Sequence, residues 1–442
     1  MLVEVFSVYG FAMKVYGCQM NQYDADKIRT ALVARGAYET AEEGADAIIF
    51  IGCSIRDKAE HKVWSELGHY EERWRKERRP VVAMTGCIAQ NVGVDMSRRY
   101  PWIRVVSGPR HIGLVPDALE TAMSGDEKIV LLDDDPRELH ELRFAPLERQ
   151  FPWKASVMIS HGCDNFCTYC IVPYVRGRFA SRSPREIMSE AEQLVEGGVK
   201  EICLLGQNVD TYGKDLDRYS FADLLNDVAH IKGLERLRFM TSYPTDFTKD
   251  VVDAIAGNAN ICPAINLPIQ AGSDRILKAM NRRYTVEEYA KVVDCIRCGL
   301  PEVGLTSDLI VGFPSETEDD FACSMEALER FRFDQVHTAA YSRRQGTPAA
   351  AMKDQVPESV KNRRLNDVNR LQTEIAKDIN KKLVGRRYRV LVDGRALKGD
   401  LLQGRNPADK VILFEGGESV IGTFVDVEVT AADSWSLKGK IF

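Results

Sequence analysis

Three cysteines stand close together in the segment His161–Pro173, HGCDNFCTYCIVP: Cys163, Cys167 and Cys170, spaced C-x3-C-x2-C. Thiolates at this spacing wrap one loop around an iron–sulfur cluster. Three ligands leave one iron of a four-iron cluster open for another molecule. A zinc site would want a fourth nearby Cys or His and paired C-x2-C halves. His161, two residues before the first cysteine, is badly placed for that. Three further cysteines are far apart, and each follows a glycine: Gly17-Cys18, Gly52-Cys53 and Gly86-Cys87. Their separations of 35 and 34 residues correspond to one strand–helix unit each. A lone cysteine is usually a small buried hydrophobe. Three Gly-Cys pairs, each ending a predicted strand, instead place three thiolates on the ligand-binding rim of a parallel sheet. Glycine there lets the backbone turn tightly beside a bulky group. A second cluster with an open iron is the expectation.

The elements that must position these residues follow from the pattern. Over residues 11–145, FAMKVYGC, ADAIIFIGC, PVVAMTGC and Ile103–Gly108 read as strands. Asp24–Arg35, Ser54–Arg79 and Ile88–Arg99 read as helices between them. Alternation of this kind predicts βαβ units and a doubly wound parallel sheet. Leu131–Gln150, with Pro136 and Pro146, reads as a linker. Candidate strands then recur at Ala155–Ile159, Glu201–Leu205, Arg236–Met240, Ile265–Pro268, Gly304–Val311 and Asp334–Tyr341. Pro184–Glu196, Phe221–His230 and Val286–Cys298 are helices among them. Six βα units predict a full or partial barrel whose chemistry lies at the carboxyl ends of the strands. Pro357–Lys382 is a basic helix. From Arg387 the pattern changes to short strands with glycine turns, a small β-barrel. The expected α/β chain thus has three domains: 1–145, 150–380 and 381–442.

Composition sets the class. The chain has 442 residues, 45% hydrophobic and 28% charged, an ordinary balance with room for large cores. Its net charge of −6 does not advertise nucleic-acid binding, so any basic face must be local. No segment reads as a membrane span. The first residues carry Glu4 and no basic leader, and they read as a strand rather than a signal peptide. Met13 is an alternative start, because the motif-bearing strand begins there. Eleven cysteines without an export signal point to metal or redox chemistry in a reducing cytoplasm, not to disulfides. Cys203, Cys262, Cys295, Cys298 and Cys323 read as structural.

The C-x3-C-x2-C loop, with the aromatic Tyr169 before its last cysteine, resembles the radical S-adenosylmethionine (SAM) superfamily. GCQMNQYDAD, CSIRDKAEHK and TGCIAQ extend the likeness toward the amino terminus. LLGQNVDTYG, LPIQAGSDRILKAMNRRYT, DLIVGFPSETEDDF and YSRRQGTPAA extend it through the barrel. Together they resemble the methylthiotransferase family over nearly the whole chain, and residues 381–442 are similar to an RNA-binding TRAM domain. Asp164-Asn165-Phe166 and Gln207-Asn208-Val209 favour the branch acting on tRNA. The resemblance implies two 4Fe-4S clusters, held by Cys163, Cys167 and Cys170 and by Cys18, Cys53 and Cys87. It implies SAM as radical source and methyl donor. The implied reaction is methylthiolation at C2 of N6-isopentenyl-adenosine beside the tRNA anticodon. A ribosomal-protein aspartate or N6-threonylcarbamoyl-adenosine is the alternative target within the family. An electron donor such as flavodoxin or ferredoxin and a sulfur source are further implied partners. The sequence departs from the family pattern at Gly52, Asn266, Ala271 and Ser315, which puts fine contacts of SAM and of the second cluster in question.

Further candidates lie at the predicted rim. Tyr169, Gly206, Gln207, Gln270, Ser273 and Asp308 are candidate SAM contacts. Arg176, Arg178 and Arg182 follow the cluster loop and are candidates to grip anticodon-loop phosphates, which position an RNA without reading its sequence. A run of arginines can equally be an ordinary solvated face. Arg386, Arg387, Arg389, Arg395, Lys398, Arg405 and Lys410 make the tail basic. Phe414 reads as barrel core, and Trp435 as core or a base-stacking surface.

Overall fold

The computed structural model describes residues 8–54, 57–132, 139–142, 144–146, 148–397 and 399–442. The expected strand at the extreme amino terminus, the linker residue Pro136 and the tail residue Lys398 lie outside them. The chain divides into two compact units. One runs up to Asp164 and also takes in Cys170–Gly198 and Leu205–Gln207. The other takes in Asn165–Tyr169, Val199–Leu204 and Asn208–Phe442.

The first unit is built on six parallel strands: β1 (Gly10–Val15), β2 (Tyr38–Glu39), β3 (Ala47–Gly52), β4 (Val81–Gly86), β5 (Ile103–Ser107) and β6 (Ile129–Leu131). Their order is β2-β1-β3-β4-β5-β6. The helices are α1 (Gln19–Ala34), α2 (Asp57–Glu77), α3 (Cys87–Arg99) and α4 (Val115–Ser124). Successive strand residues point to opposite faces. Ile49, Ile51, Ala83 and Val105 therefore meet Ile28, Leu32, Val115 and Leu119 of α1 and α4. Ile48, Phe50, Val82, Met84 and Val106 meet Val63, Leu67, Ile88 and Met96 of α2 and α3. The sheet is doubly wound, as its near-continuous apolar strands require. β1 begins at Gly10 rather than at Met13, with Phe11 fully buried in the core. The same unit carries β7 (Lys154–Met158), the antiparallel pair β8 (Ser160–His161) and β9 (Ala180–Ser181), the short helix α5 (Val172–Val175) and the helix Pro184–Glu196.

In the second unit Glu201–Leu204 of β10 (Glu201–Leu205) pair in parallel with β11 (Arg236–Phe239). β12 (Ala264–Asn266), β13 (Gly304–Val311) and β14 (Gln335–Ala340) form a parallel sheet in chain order. The six strands expected of the partial barrel are all present. Three helices start with capping boxes at Ser220/Asp223, Thr285/Glu288 and Thr317/Asp320, each satisfying two otherwise orphaned backbone donors. Helix Glu358–Lys381 leads to a closed barrel of β15 (Arg387–Arg395), β16 (Leu402–Arg405), β17 (Val411–Phe414), β18 (Phe424–Ala432) and β19 (Leu437–Ile441). Val390, Val392, Leu402, Ile412, Phe414, Val427, Val429 and Leu437 fill it. The barrel is clamped to the strand β11. Arg236 donates to the Arg405 carbonyl at 2.8 Å, and Arg238 to the carbonyls of Asn406 at 2.8 Å and Pro407 at 3.2 Å. Among the described residues, no helix is long and apolar enough to cross a membrane.

Candidate metal centres and cofactor rim

The three distant cysteines arrive at one rim. β1, β3 and β4 are consecutive neighbours in the sheet, and Cys18, Cys53 and Cys87 each follow the last turn of chain beyond them. β1 and β3 flank the point where the strand order reverses, the crevice in which such sheets bind ligands. Cys18 caps α1 and Cys87 opens α3. The glycines make the approach possible. A methyl on Gly17 (φ +131°) would lie 2.4 Å from Cβ and 3.3 Å from Sγ of Cys53, and one on Gly86 (φ +90°) 2.8 Å from the Gly52 carbonyl. Cys53 and Cys87 are buried and Cys18 is partly so. A hydrogen bond with Cys53, helped by the nearby charge of Arg176, lowers the Cys18 thiol to about 5 against the pull of burial. Burial raises Cys87, and Arg176 opposes that rise.

Arg176 was missed as part of this centre. It follows α5, whose Val175, with Ile171, packs on Cys87. Its Nε donates to Cys87 Sγ at 3.2 Å, and its Nη2 to Asn21 Oδ1 at 3.2 Å and Asp24 Oδ2 at 3.3 Å. Asn21 Oδ1 also accepts from Cys18 Sγ at 3.9 Å, and its Nδ2 is anchored on the Tyr16 carbonyl. Among the described residues no trio of Cys, His, Asp or Glu closes to the spacing of a single metal ion. In a cluster, each thiolate instead takes a different iron. Three inward thiols, a lowered thiol and a buried cation suit an anionic iron–sulfur group.

The cluster loop is pinned along its length. Gly162 (φ +62°) has no room for a side chain, since a methyl would sit 2.1 Å from the Arg178 carbonyl. Cys163 N donates to Gly177 O at 3.2 Å, and Asp164 accepts two bonds from Arg178 and one from Phe179 N. In the second unit Thr168 bonds the carbonyls of Met280 and Ala279, and Asn281 donates to those of Asn165 and Phe166. Buried Arg282 donates to Cys167 Sγ at 3.6 Å and stacks over Tyr243. Tyr169 lies near enough to raise the Arg282 pKa, although burial is the largest influence on that group and works the other way. His161, the candidate fourth zinc ligand, is instead paired with Glu141. The donor set of three thiols on eight residues suits a cluster with one iron unfilled by protein.

Of the other rim candidates, Gln207 and Gln270 each hold a buried side-chain oxygen with no hydrogen-bond partner, which a polar ligand would satisfy. Gln270 (φ +68°) is stitched to β13 through Asp308 O and Ile310 N, and Asp308 accepts from Asn266 Nδ2 at 3.0 Å. Gly206 is buried just beyond β10. Ser273 departs from expectation. Its hydroxyl donates to Asp320 Oδ1 at 2.6 Å, in a network with Arg275 and Thr317, so it serves the scaffold. Two of the three expected phosphate contacts are corrected likewise. Arg176 is 5% exposed and Arg182 6%. Arg182 donates to Glu190 at 2.8 Å, which also pairs with Lys27. Their partners, Asp24 and Glu190, draw both guanidinium groups inside. Arg178 alone of the three stays exposed, paired with Asp164. In the tail, Arg386, Arg387, Arg389, Arg395, Arg405 and Lys410 each have an acidic partner. Phe414 is core, whereas Trp435 is 55% exposed.

Residues 157–328 match the Radical SAM superfamily, 10–108 the Uncharacterized protein family UPF0004, and 381–442 the TRAM domain. The chain is 42% identical over 438 residues to a tRNA-2-methylthio-N(6)-dimethylallyladenosine synthase of Clostridium beijerinckii, covering 98% of this chain and 95% of that one. It is 41% identical to the synthases of the same name from Natranaerobius thermophilus (98% and 96% covered) and Carboxydothermus hydrogenoformans (96% and 98% covered). The chain belongs to the radical SAM methylthiotransferase family. Among solved structures, the methylthiotransferase resembles the radical SAM methyltransferase TsrM from Kitasatospora setae, solved with cobalamin and a [4Fe-4S] cluster. The TM-score is 0.55 at 15% identity, with 78% of this chain and 77% of that one covered. It also resembles the cobalamin-dependent SAM radical enzyme OxsB, with a TM-score of 0.51 at 12% identity and 83% and 56% covered. These likenesses are of fold. As a methylthiotransferase it uses SAM and two four-iron clusters. Its two cysteine trios each have a buried arginine at one sulfur, Arg176 at Cys87 and Arg282 at Cys167. No motif flags either arginine. Arg176 only follows the cluster loop, and Arg282 lies within the segment LPIQAGSDRILKAMNRRYT.

Proposed function

We propose that this chain converts N6-isopentenyl-adenosine beside the tRNA anticodon to its 2-methylthio form. The observation that carries the reading is the gathering of Cys18, Cys53 and Cys87 at one sheet rim, in a chain that also has the C-x3-C-x2-C loop. Methylthiolation of an unactivated C–H bond needs two separate centres, one to make a radical and one to deliver sulfur. When bound, a four-iron cluster with SAM supplies a 5′-deoxyadenosyl radical, chemistry that no protein side chain provides. Cys163, Cys167 and Cys170 are the ligands proposed there, and Cys18, Cys53 and Cys87 those of the sulfur-delivering cluster.

The chain's own groups bind and orient. Tyr169, Gly206, Gln207, Gln270 and Asp308 are the proposed contacts of SAM. The orphaned oxygens of Gln207 and Gln270 are acceptors suited to its amine and ribose hydroxyls, and Asn266 holds the Asp308 carboxylate in place. Arg178 is the RNA-facing arginine beside the loop. The proposed division of labour is a sulfur-delivery domain at 1–145, a radical domain at 150–380 and an RNA-binding domain at 381–442. The anticodon-loop base leaves its stack to reach the rim, as bases do in enzymes that act on them. The site of action is the cytoplasm. A flavodoxin or ferredoxin supplies electrons, and a separate donor supplies sulfur.

The deciding experiment is mass spectrometry of tRNA nucleosides from a strain lacking this protein, with and without the gene restored. The expected result is loss and return of 2-methylthio-N6-isopentenyl-adenosine. A tRNA pool that keeps the nucleoside, or a change confined to N6-threonylcarbamoyl-adenosine or to a ribosomal-protein aspartate, would refute the assignment.

A further inference from the structure

Arg176 is an expensive residue to bury. A guanidinium is permanently charged, and it is tolerated inside a protein only when paired and hydrogen-bonded. Here one carboxylate, Asp24, would suffice to neutralise it. The arginine instead aims its Nε at Cys87 Sγ at 3.2 Å, leaving Nη2 shared between Asn21 and Asp24. Asn21 in turn faces Cys18 Sγ at 3.9 Å, so the guanidinium plane runs from one thiol of the trio toward another. Its carrier is short. Cys170 and Arg176 are six positions apart, and the intervening Ile171 and Val175 pack directly on Cys87. The end of the radical-cluster loop and the second thiol site are therefore joined by one turn of chain.

We propose that Arg176 is the positioning residue of the second centre. It donates a hydrogen bond to the Cys87 thiolate, and its fixed positive charge offsets that of the cluster held by Cys18, Cys53 and Cys87. The inference rests on the assignment of that trio to a cluster. A four-iron core with three thiolates is anionic and becomes more so on reduction. A cation and a sulfur-directed hydrogen bond therefore favour the reduced state, since net charge and bonds to sulfur set cluster potentials. Asp24, on the other side of the guanidinium, works in the opposite sense.

The test uses the full chain carrying Cys163→Ala, Cys167→Ala and Cys170→Ala, reconstituted without oxygen, so that only the second centre takes iron. Its reduction is followed by electron paramagnetic resonance at fixed potentials. Arg176→Met is expected to lower the reduced-to-oxidised ratio at least tenfold at a given potential, a shift of about 59 mV for one electron. Arg176→Lys, which keeps the charge without the fork, is expected to lie between. Asp24→Asn is expected to shift the ratio the other way. Unmoved potentials in Arg176→Met with its iron retained, or a shift of the same sign in Asp24→Asn, would overturn the proposal. If Arg176→Met takes up no iron, Asp24→Asn decides: a raised ratio supports the role, and an unchanged or lowered one ends it. A background chain that binds no iron would instead bring down the trio assignment itself, and the arginine's role with it.

Discussion

Gly17→Ala tests the geometry of the second centre most directly. The added methyl would sit 2.4 Å from Cβ of Cys53, whereas ordinary van der Waals contact begins at 3.4 Å. The two segments must part by about 1 Å. Metal sites tolerate ligand displacements of only about 0.2 Å, so Cys18 and Cys53 can no longer serve one cluster. The backbone at φ +131° adds roughly 1–3 kcal/mol of strain for a residue with a side chain. Gly36→Ala separates the two effects. Gly36 is also at positive φ, +91°, but nothing lies within 4 Å of its Cβ position. After oxygen-free reconstitution, wild type and Gly36→Ala should hold about eight irons per chain, as two four-iron clusters require. Gly17→Ala should hold about four, with SAM cleavage retained. Full iron content in Gly17→Ala, with both cluster signals intact, would refute the claim that these thiols share one group through a glycine-only approach.

Three other outcomes are expected. Cys167→Ala should abolish 5′-deoxyadenosine formation, measured by chromatography. Cys53→Ala should keep it while yielding no methylthio-adenosine, and methylthio product from Cys53→Ala would place the sulfur centre elsewhere. Glu141 supplies a pH signature. Burial pushes its carboxyl up, but the hydrogen bond and charge of His161, with Arg182 and Lys27, outweigh this and hold it at about 2 instead of 4.5. Its stabilisation is complete above pH 4.5 and is lost as the pH falls toward 2, in all about 3 kcal/mol at 1.36 kcal/mol per unit. Urea midpoints of wild type and Glu141→Gln should therefore differ at pH 7 and converge only as the pH falls toward 2; a gap constant with pH would show that the ion pair is not its source.

The six cysteines proposed as ligands stand out in the sequence by their spacing, and the strands beneath three of them were legible because they follow local rules. Apolar runs of six residues ending in Gly-Cys mark strand ends, and parallel sheets align those ends. The arginines were not legible in the same way. Arg176 and Arg182 look like surface residues from sequence, and their burial depends on Asp24, from a distant helix, and on Glu190, whose role shows only once α1 brings Lys27 and Tyr23 against it. The Ser273 hydroxyl was taken by Asp320, 47 positions away. β16 is hard to read from sequence because LQGR offers one core side chain, Leu402, and a glycine whose absent Cβ would lie 2.4 Å from the Leu391 carbonyl. Long-range polar pairing, not periodicity, decided the two arginines and the serine.

The paired guanidinium groups of Arg236 and Arg238, seated on the Arg405–Pro407 carbonyls, have a mechanical consequence. A carboxyl-terminal domain on a loose tether would sweep a range of distances, and any polynucleotide it held would search for the reacting centre. With its loop bolted to β11, this one behaves as a ruler rather than a leash. Whatever it grips is presented at a single reach from β11, and lengthening or shortening that grip by a nucleotide would bring a different base into register.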